Sequence, residues 1–157
     1  IGNPINNCRL YFDEVLNVVN NSRNITYIPH VSHASNLLGS AFAAARVHVL
    51  LGDNETPGLV NLEAGLAGTS LVVLDCPPVR EYLADGAVYV SNLTPSEIRR
   101  GIVAAWESNS SKEWLKKRII DRYSWPCVAR RTLEAYNRVL ANTVKVPPDV
   151  GSNPDSA

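Results

Sequence analysis

The chain has 157 residues, of which 45% are hydrophobic and 19% are charged. This length fits a single domain, and this composition is sufficient to bury a core, so disorder of the whole chain is excluded. The 15 Lys and Arg residues balance the 15 Asp and Glu residues, and the formal net charge is zero. A nucleic-acid partner is not expected, because neutralising phosphates requires an excess of basic side chains.

The three cysteines are scattered and show no CxxC spacing, so they indicate neither a disulfide framework nor a zinc or redox site. No apolar run approaches the roughly 20 residues of a membrane span. We therefore expect a cytoplasmic protein with reduced thiols. The sequence lacks methionine and begins at Ile1, so we expect an excerpt of a longer protein.

Four short runs of apolar, mostly β-branched residues predict strands of a buried parallel sheet, at residues 25–28, 47–51, 71–74 and 87–90. Helices are predicted at residues 10–19, 34–46, 58–67, 96–106, 112–122 and 128–140. This alternation predicts an α/β, Rossmann-like domain with helices on both faces of the sheet. The domain is expected over residues 1–142, followed by a flexible Pro- and Gly-containing tail at residues 143–157. His48, inside the second predicted strand, is expected to be a hydrogen-bonded core residue.

The segment after the second predicted strand has the groups expected of a nucleotide site. Ligands of parallel sheets bind beyond the carboxyl ends of the strands. At this point the backbone N–H groups of Gly58, Leu59 and Val60 begin a helix and can bind a phosphate. Glu63, further along the helix, can accept hydrogen bonds from the two hydroxyls of a ribose. The chain contains neither GxGxxG nor GxxxxGK[ST], which excludes the dinucleotide fingerprint and an ordinary P-loop.

Glu55 and Glu63 are separated by seven residues within E-T-P-G-L-V-N-L-E-A-G-L-A-G. This run resembles the E-x7-E segment of the retaining glycosyltransferases of family 4. Further segments resemble the same family in the same order, namely R-E-Y followed by D-G-A at residues 80–87, and Y-S-W at residues 123–125. The resemblance extends over residues 1–140.

The resemblance implies a GT-B architecture, of which this chain would form the C-terminal, donor-binding domain without its first βα unit. It implies that Glu55 is the catalytic position that faces the donor sugar. The implied donor-binding positions are Glu63 at the ribose, Gly58, Leu59 and Val60 at the diphosphate, and His30 and Val31 near the base.

The implied reaction is hexosyltransferase-like and moves a sugar from a nucleotide-diphosphate sugar to a glycan, a lipid-linked glycan or a small molecule, with retention at the anomeric carbon. The resemblance implies no metal and no other cofactor, so protein donors must stabilise the departing diphosphate. The N-terminal acceptor-binding domain would belong to the same protein, so we expect this chain alone to be inactive. The resemblance also allows peripheral contact of the full-length protein with the inner membrane face.

Two other functions stay open at this point. Thr56, Pro57, Thr69 and Ser70 stand where the family favours other residue types. These departures favour, as the main alternative, a catalytically degenerate domain that acts as an interaction or regulatory module. The other alternative is a nucleotide-sugar epimerase or phosphorylase of the same architecture.

Overall fold

A computed structural model of the chain describes residues 2, 8–32, 34–52, 58–108 and 111–143. The helices of these ranges are α1 (Arg9–Asn20), α2 (Asn36–Ala44), α3 (Leu59–Ala67), α4 (Pro77–Leu83), α5 (Pro95–Glu107), α6 (Glu113–Tyr123) and α7 (Trp125–Thr143). The strands are β1 (Val47–Leu50), β2 (Ser70–Leu74) and β3 (Val88–Val90). A short 3₁₀ helix, Ala84–Gly86, connects α4 to β3.

The three strands form a parallel sheet in the order β1-β2-β3. Val49 lies beside Val72, and Val72 lies beside Val88. Parallel neighbours require a crossover connection, which α3 supplies between β1 and β2, and α4 with the 3₁₀ helix supplies between β2 and β3. The predicted α/β, Rossmann-like fold is therefore confirmed.

One face of the sheet is covered by α3, α4 and α6. Leu71 and Val73 of β2 point into this layer and are fully buried. They share a core with buried side chains of the three helices, namely Leu62, Ala64, Val79, Tyr82, Leu83, Leu115 and Ile119. Burying one large aliphatic side chain of this kind contributes about 1.5–3 kcal/mol. This layer positions α3, on which the predicted site lies.

The opposite face of the sheet is covered by α5. Val72, which alternates with Leu71 and Val73 along β2, packs there with Val90 and Ala105. Helix α5 approaches the strands closely, because a Cβ atom at Gly101 would lie 2.8 Å from Cγ2 of Val90. The sheet thus has helices on both faces, as the apolar composition of β2 predicts.

The helix ends follow the signals in the sequence. Ser35 Oγ accepts a hydrogen bond from the N–H of Leu37 at the start of α2 (3.1 Å). Thr94 Oγ1 accepts one from the N–H of Glu97 at the start of α5 (3.4 Å). Helix α3 ends at Gly68, which has a φ of 88° that favours glycine. These features explain why the predicted helices at residues 34–46, 58–67 and 96–106 are confirmed.

The predicted strand at residues 25–28 is wrong. The segment pairs with no described strand, and Ile25 and Ile28 are 48% and 40% exposed. Its hydrogen bonds go to Gly2, whose N–H donates to the carbonyl of Ile28 (3.2 Å) and whose carbonyl accepts from the Tyr27 hydroxyl (2.7 Å). β-Branched residues favour extended backbone, but a strand also requires a paired neighbour.

Helix α4 was not predicted, because seven residues are too short for a clear hydrophobic periodicity. Within the described ranges, no helix is long and apolar enough to cross a membrane. Residues 144–157 of the predicted tail lie outside those ranges, and Thr143 ends α7.

Candidate functional site

The site predicted from the sequence begins at the N-terminus of α3, which follows the carboxyl end of β1. Gly58 is buried, and its carbonyl accepts a hydrogen bond from the N–H of Asn61 (2.9 Å). Among the described residues, no acceptor contacts the N–H groups of Gly58, Leu59 and Val60. Such N–H groups, at the positive end of the helix dipole, favour a bound anion. The structure thus brings the three predicted phosphate positions together.

Glu63 lies one turn further along α3 and is half-buried. Its Oε2 atom is buried and has no hydrogen-bond partner among the described residues. A buried acceptor without a donor costs about 1–3 kcal/mol, and more when it is charged. A ligand that supplies a hydroxyl donor would remove this cost, and this property suits the predicted role of Glu63.

Glu63 borders two cavities. The first lies between α2 and α3 and has a volume of about 630 Å³. Its α2 side carries the hydroxyls of Ser35 and Ser40 and the amide of Asn36, and Gly39 leaves open space there. Cavities of this size suit a small organic ligand. The polar groups of α2 and the carboxylate of α3 can bind a ligand with several hydroxyls.

The second cavity has a volume of about 710 Å³ and lies among α3, α4, α6 and the start of α7. Its lining is mostly apolar, from residues such as Leu59, Ile120 and Trp125. Glu63 and Glu81 supply the carboxylates. Helix α3 is therefore a common wall of both cavities.

Of the remaining predicted positions, Glu55 lies outside the described residues, and His30 and Val31 line neither cavity. Glu55, the predicted catalytic residue, lies outside the described residues, as do all of residues 53–57. His30 is exposed and Val31 is half-buried in the segment before α2. Neither lines a cavity that Glu63 borders. Their predicted place near a base stays a prediction.

Two linked hydrogen bonds connect α3 to the elements packed against it. Of the residues that form them, only His48 was predicted to be hydrogen-bonded. His48 Nε2 lies 3.1 Å from Asn61 Oδ1, and Asn61 Nδ2 donates to the hydroxyl of Tyr82 at 2.8 Å. Because the Asn61 amide nitrogen faces Tyr82, its oxygen accepts, and His48 Nε2 donates. The expectation of a hydrogen-bonded histidine in this strand is confirmed. The sequence feature that could have indicated the remaining hydrogen bonds is Asn61, a polar residue within the apolar run of α3.

The free energy of unfolding is expected to fall below neutral pH because of His48. Burial lowers the pKa of His48 from its ordinary 6.5, and the hydrogen bond with Asn61 partly opposes this shift. The His48 side chain therefore binds a proton more readily in the unfolded chain than in the folded protein. The stability that His48 contributes is complete above pH 6.5 and is lost as the pH falls through its lowered pKa.

Urea unfolding at about pH 7.5 and about pH 5.5 tests this expectation. His48→Gln keeps a side-chain donor near the Nε2 position but does not titrate. The loss of stability between the two pH values should be smaller in His48→Gln than in the wild type. Equal losses in the two proteins would contradict the prediction.

A charged pair lies at the carboxyl end of β2. The guanidinium of Arg80 donates to both carboxylate oxygens of Asp75 and lies 4.1 Å from the centre of the Tyr89 ring. This hydrogen bonding lowers the pKa of Asp75, and burial raises the pKa of Tyr89 to about 12. The Arg80 guanidinium is thus already paired with the carboxylate of Asp75. In the described ranges, no group of three His, Cys, Asp or Glu residues could hold a metal ion.

Comparison with known proteins gives a distant relative. Alpha-maltose-1-phosphate synthase of Mycolicibacterium smegmatis is 32% identical in an alignment of 113 positions that covers 63% of this chain and 29% of that protein. This similarity supports a glycosyltransferase family for the chain. The chain therefore spans less than a third of the length of this relative. No family model and no solved structure matches the chain.

In a glycosyltransferase-like domain with a parallel sheet, ligand chemistry is expected beyond the carboxyl ends of the strands. The start of α3 follows the carboxyl end of β1, and Asp75 follows that of β2. Of these two places, only the first has, among the described residues, both uncommitted N–H groups and a buried carboxylate oxygen without a donor.

Proposed function

We propose that the chain is the donor-binding domain of a retaining glycosyltransferase of the GT-B type, with a nucleotide-diphosphate sugar as donor. Glu63 accepts hydrogen bonds from the ribose hydroxyls. The N–H groups of Gly58, Leu59 and Val60 bind the diphosphate, and Glu55 faces the donor sugar. His30 and Val31 lie near the base. The distant similarity to a glycosyltransferase supports the reaction class.

The observation that carries this proposal is the buried Oε2 atom of Glu63, which lacks a donor among the described residues. The atom belongs to the helix whose first N–H groups have no acceptor among the described residues. One turn of α-helix advances about 5.4 Å, which is the scale of the separation between a ribose and its phosphates. One short helix can therefore bind both parts of a nucleotide.

In the proposed reaction, negative charge grows on the diphosphate as the bond to the sugar breaks. N–H groups at the positive end of α3 stabilise this charge, because they are already oriented before the reaction begins. No metal ion is needed in this scheme. The acceptor would bind to a further domain of a longer protein, so the chain by itself is proposed to be inactive.

Nucleotide titrations followed by NMR test the proposal. UDP, GDP, ADP and NAD are added at millimolar concentration to the wild type and to Glu63→Ala. We expect shifts of the amides at residues 58–63, strongest for one nucleoside diphosphate. Glu63→Ala should weaken this binding about tenfold or more, because hydrogen bonds to a charged group contribute roughly 1.5–3 kcal/mol each.

Glu134→Ala is the matched control, since Glu134 is exposed on α7 and lines neither cavity. Its affinity should equal that of the wild type. Equal affinity of Glu63→Ala and the wild type would contradict the assignment of Glu63. The absence of shifts with all four nucleotides, also in a chain extended upstream by one βα unit, would contradict donor binding altogether.

A further inference from the structure

The hydrogen-bonded chain of His48, Asn61 and Tyr82 connects three elements around the candidate site. His48 belongs to β1, Asn61 to the first turns of α3, and Tyr82 to α4. Asn61 is fully buried and Tyr82 is 4% exposed. The hydrogen bond between Asn61 and Tyr82 is therefore shielded from water, whereas the one between His48 and Asn61 is partly buried.

Within the ranges that the structure describes, the start of α3 has few other directional contacts. Gly58, which precedes the helix, supplies no side-chain cap. The remaining buried residues of α3 are Leu62, Ala64 and Gly65, which pack through apolar surface. Apolar packing has no preferred direction, whereas a hydrogen bond fixes both distance and angle. The amide of Asn61 therefore adds directional contacts to this packing, one with His48 and one with Tyr82.

Both ends of the hydrogen-bonded chain are themselves held in place. The backbone carbonyl of Tyr82 accepts from Arg118 Nε of α6 (3.0 Å), and the Tyr82 ring packs edge-on against Tyr123, with ring centres 6.3 Å apart. At the other end, the His48 ring packs edge-on against Phe42 of α2 at 5.6 Å. The three hydrogen-bonded residues thus connect α2, which lines the first cavity, to α6, which lines the second, through the interior of the domain.

We propose that His48, Asn61 and Tyr82 are positioning residues that fix the first turns of α3, so that its N–H groups and Glu63 face a bound nucleotide. This inference rests on the proposed function of α3. The three residues act through the helix, and Tyr82 also lines the second cavity that Glu63 borders. Asn61 lies two residues before Glu63, so a small rotation of the helix at Asn61 moves the Glu63 carboxylate sideways.

The test compares variants that remove single hydrogen bonds with little change of shape. Tyr82→Phe removes the acceptor of the Asn61 amide, and His48→Leu removes the donor to its oxygen. Each should weaken binding of the probe, UDP with GDP and ADP in parallel, about threefold to tenfold. His48→Gln, which keeps a donor, should restore most of the affinity.

Tyr89→Phe is the matched control, because Tyr89 lines neither cavity. It also removes a tyrosine hydroxyl, but that hydroxyl donates to the carbonyl of Ala84 and lies outside the hydrogen-bonded series of His48, Asn61 and Tyr82. Affinity is measured by NMR at a temperature where thermal melts show every variant to be fully folded. A merely structural role would lower Tm but leave the affinity of the folded protein unchanged.

Amide shifts without ligand give a second measurement. Tyr82→Phe should move the amide signals of residues 58–63, whereas Tyr89→Phe should not. Unchanged affinity and unchanged ligand-free shifts in Tyr82→Phe and His48→Leu would overturn the positioning role and leave the proposed function intact. If neither the wild type nor the chain extended upstream by one βα unit binds a nucleotide, or if Glu63→Ala binds as the wild type does, the proposed function itself fails, and the positioning role fails with it.

Discussion

Leu115→Ala is expected to lower the free energy of unfolding by about 2–5 kcal/mol. Leu115 is 3% exposed and lies on α6 between α3 and the 3₁₀ helix. Its side-chain carbons pack directly against Gly65 and Gly86, where a Cβ atom would lie 3.2 Å and 2.6 Å from them. Glycine offers no side chain that could move into the space, so truncation leaves a cavity that the surroundings fill poorly.

The measurement is urea unfolding of Leu115→Ala beside Ile120→Ala. Ile120 is on the same helix but is 56% exposed, so its truncation should cost clearly less. Equal losses in the two variants would show that α6 does not pack on the core through Leu115. A loss below about 1 kcal/mol in Leu115→Ala would contradict the tight contact with the two glycines.

Gly101→Ala should have the second-largest effect on stability, with a loss of about 1–3 kcal/mol. An added Cβ atom would lie 2.8 Å from Cγ2 of Val90 and 3.3 Å from Cγ1 of Val72. Both valines are buried in the sheet, and β-branched side chains have few alternative rotamers. Helix α5 would therefore have to move away from β2 and β3. This cost exceeds the helix propensity that alanine adds.

Gly39→Ala is the matched control for this substitution. Gly39 lies inside α2, and nothing lies within 4 Å of a Cβ atom at this position. Alanine should therefore stabilise the protein by about 0.4–1 kcal/mol through helix propensity and a less flexible unfolded chain. Thermal and urea unfolding of the two variants should give shifts of opposite sign. Shifts of the same sign would show that the approach of α5 to the sheet is looser than described.

The sequence predicted those parts of the fold that depend on local signals. The three confirmed strands have continuous apolar, β-branched runs, and α3 ends at a glycine with positive φ. The segment at residues 25–28 has the same composition but no paired neighbour among the described strands. Pairing depends on distant parts of the chain, which composition does not report. Local signals also failed for α4, because its seven residues hold less than two full turns of pattern.

For the candidate site, the sequence predicted the helix start and Glu63, because both lie within one continuous segment. It predicted that His48 is hydrogen-bonded. It did not predict that Asn61 is the partner of His48 or that Tyr82 is the second partner of Asn61. These residues come from three elements that meet only after the sheet has formed. The cavities also depend on helices that are remote in sequence, such as α3 and α6. The role of Glu55 stays a prediction, since it lies outside the described residues.

The order of the strands has a consequence for how fast the chain folds. Each strand pairs with the next one along the chain, and one short crossover separates them. Paired strand residues such as Val49 and Val72 are 23 positions apart in sequence, whereas Gly65 of α3 and Leu115 of α6, which are in contact, are 50 positions apart. Closing a long loop costs more entropy, so we expect α6 to dock after the sheet has formed. The stability that Leu115→Ala loses should then appear mainly as faster unfolding, with little change in the folding rate.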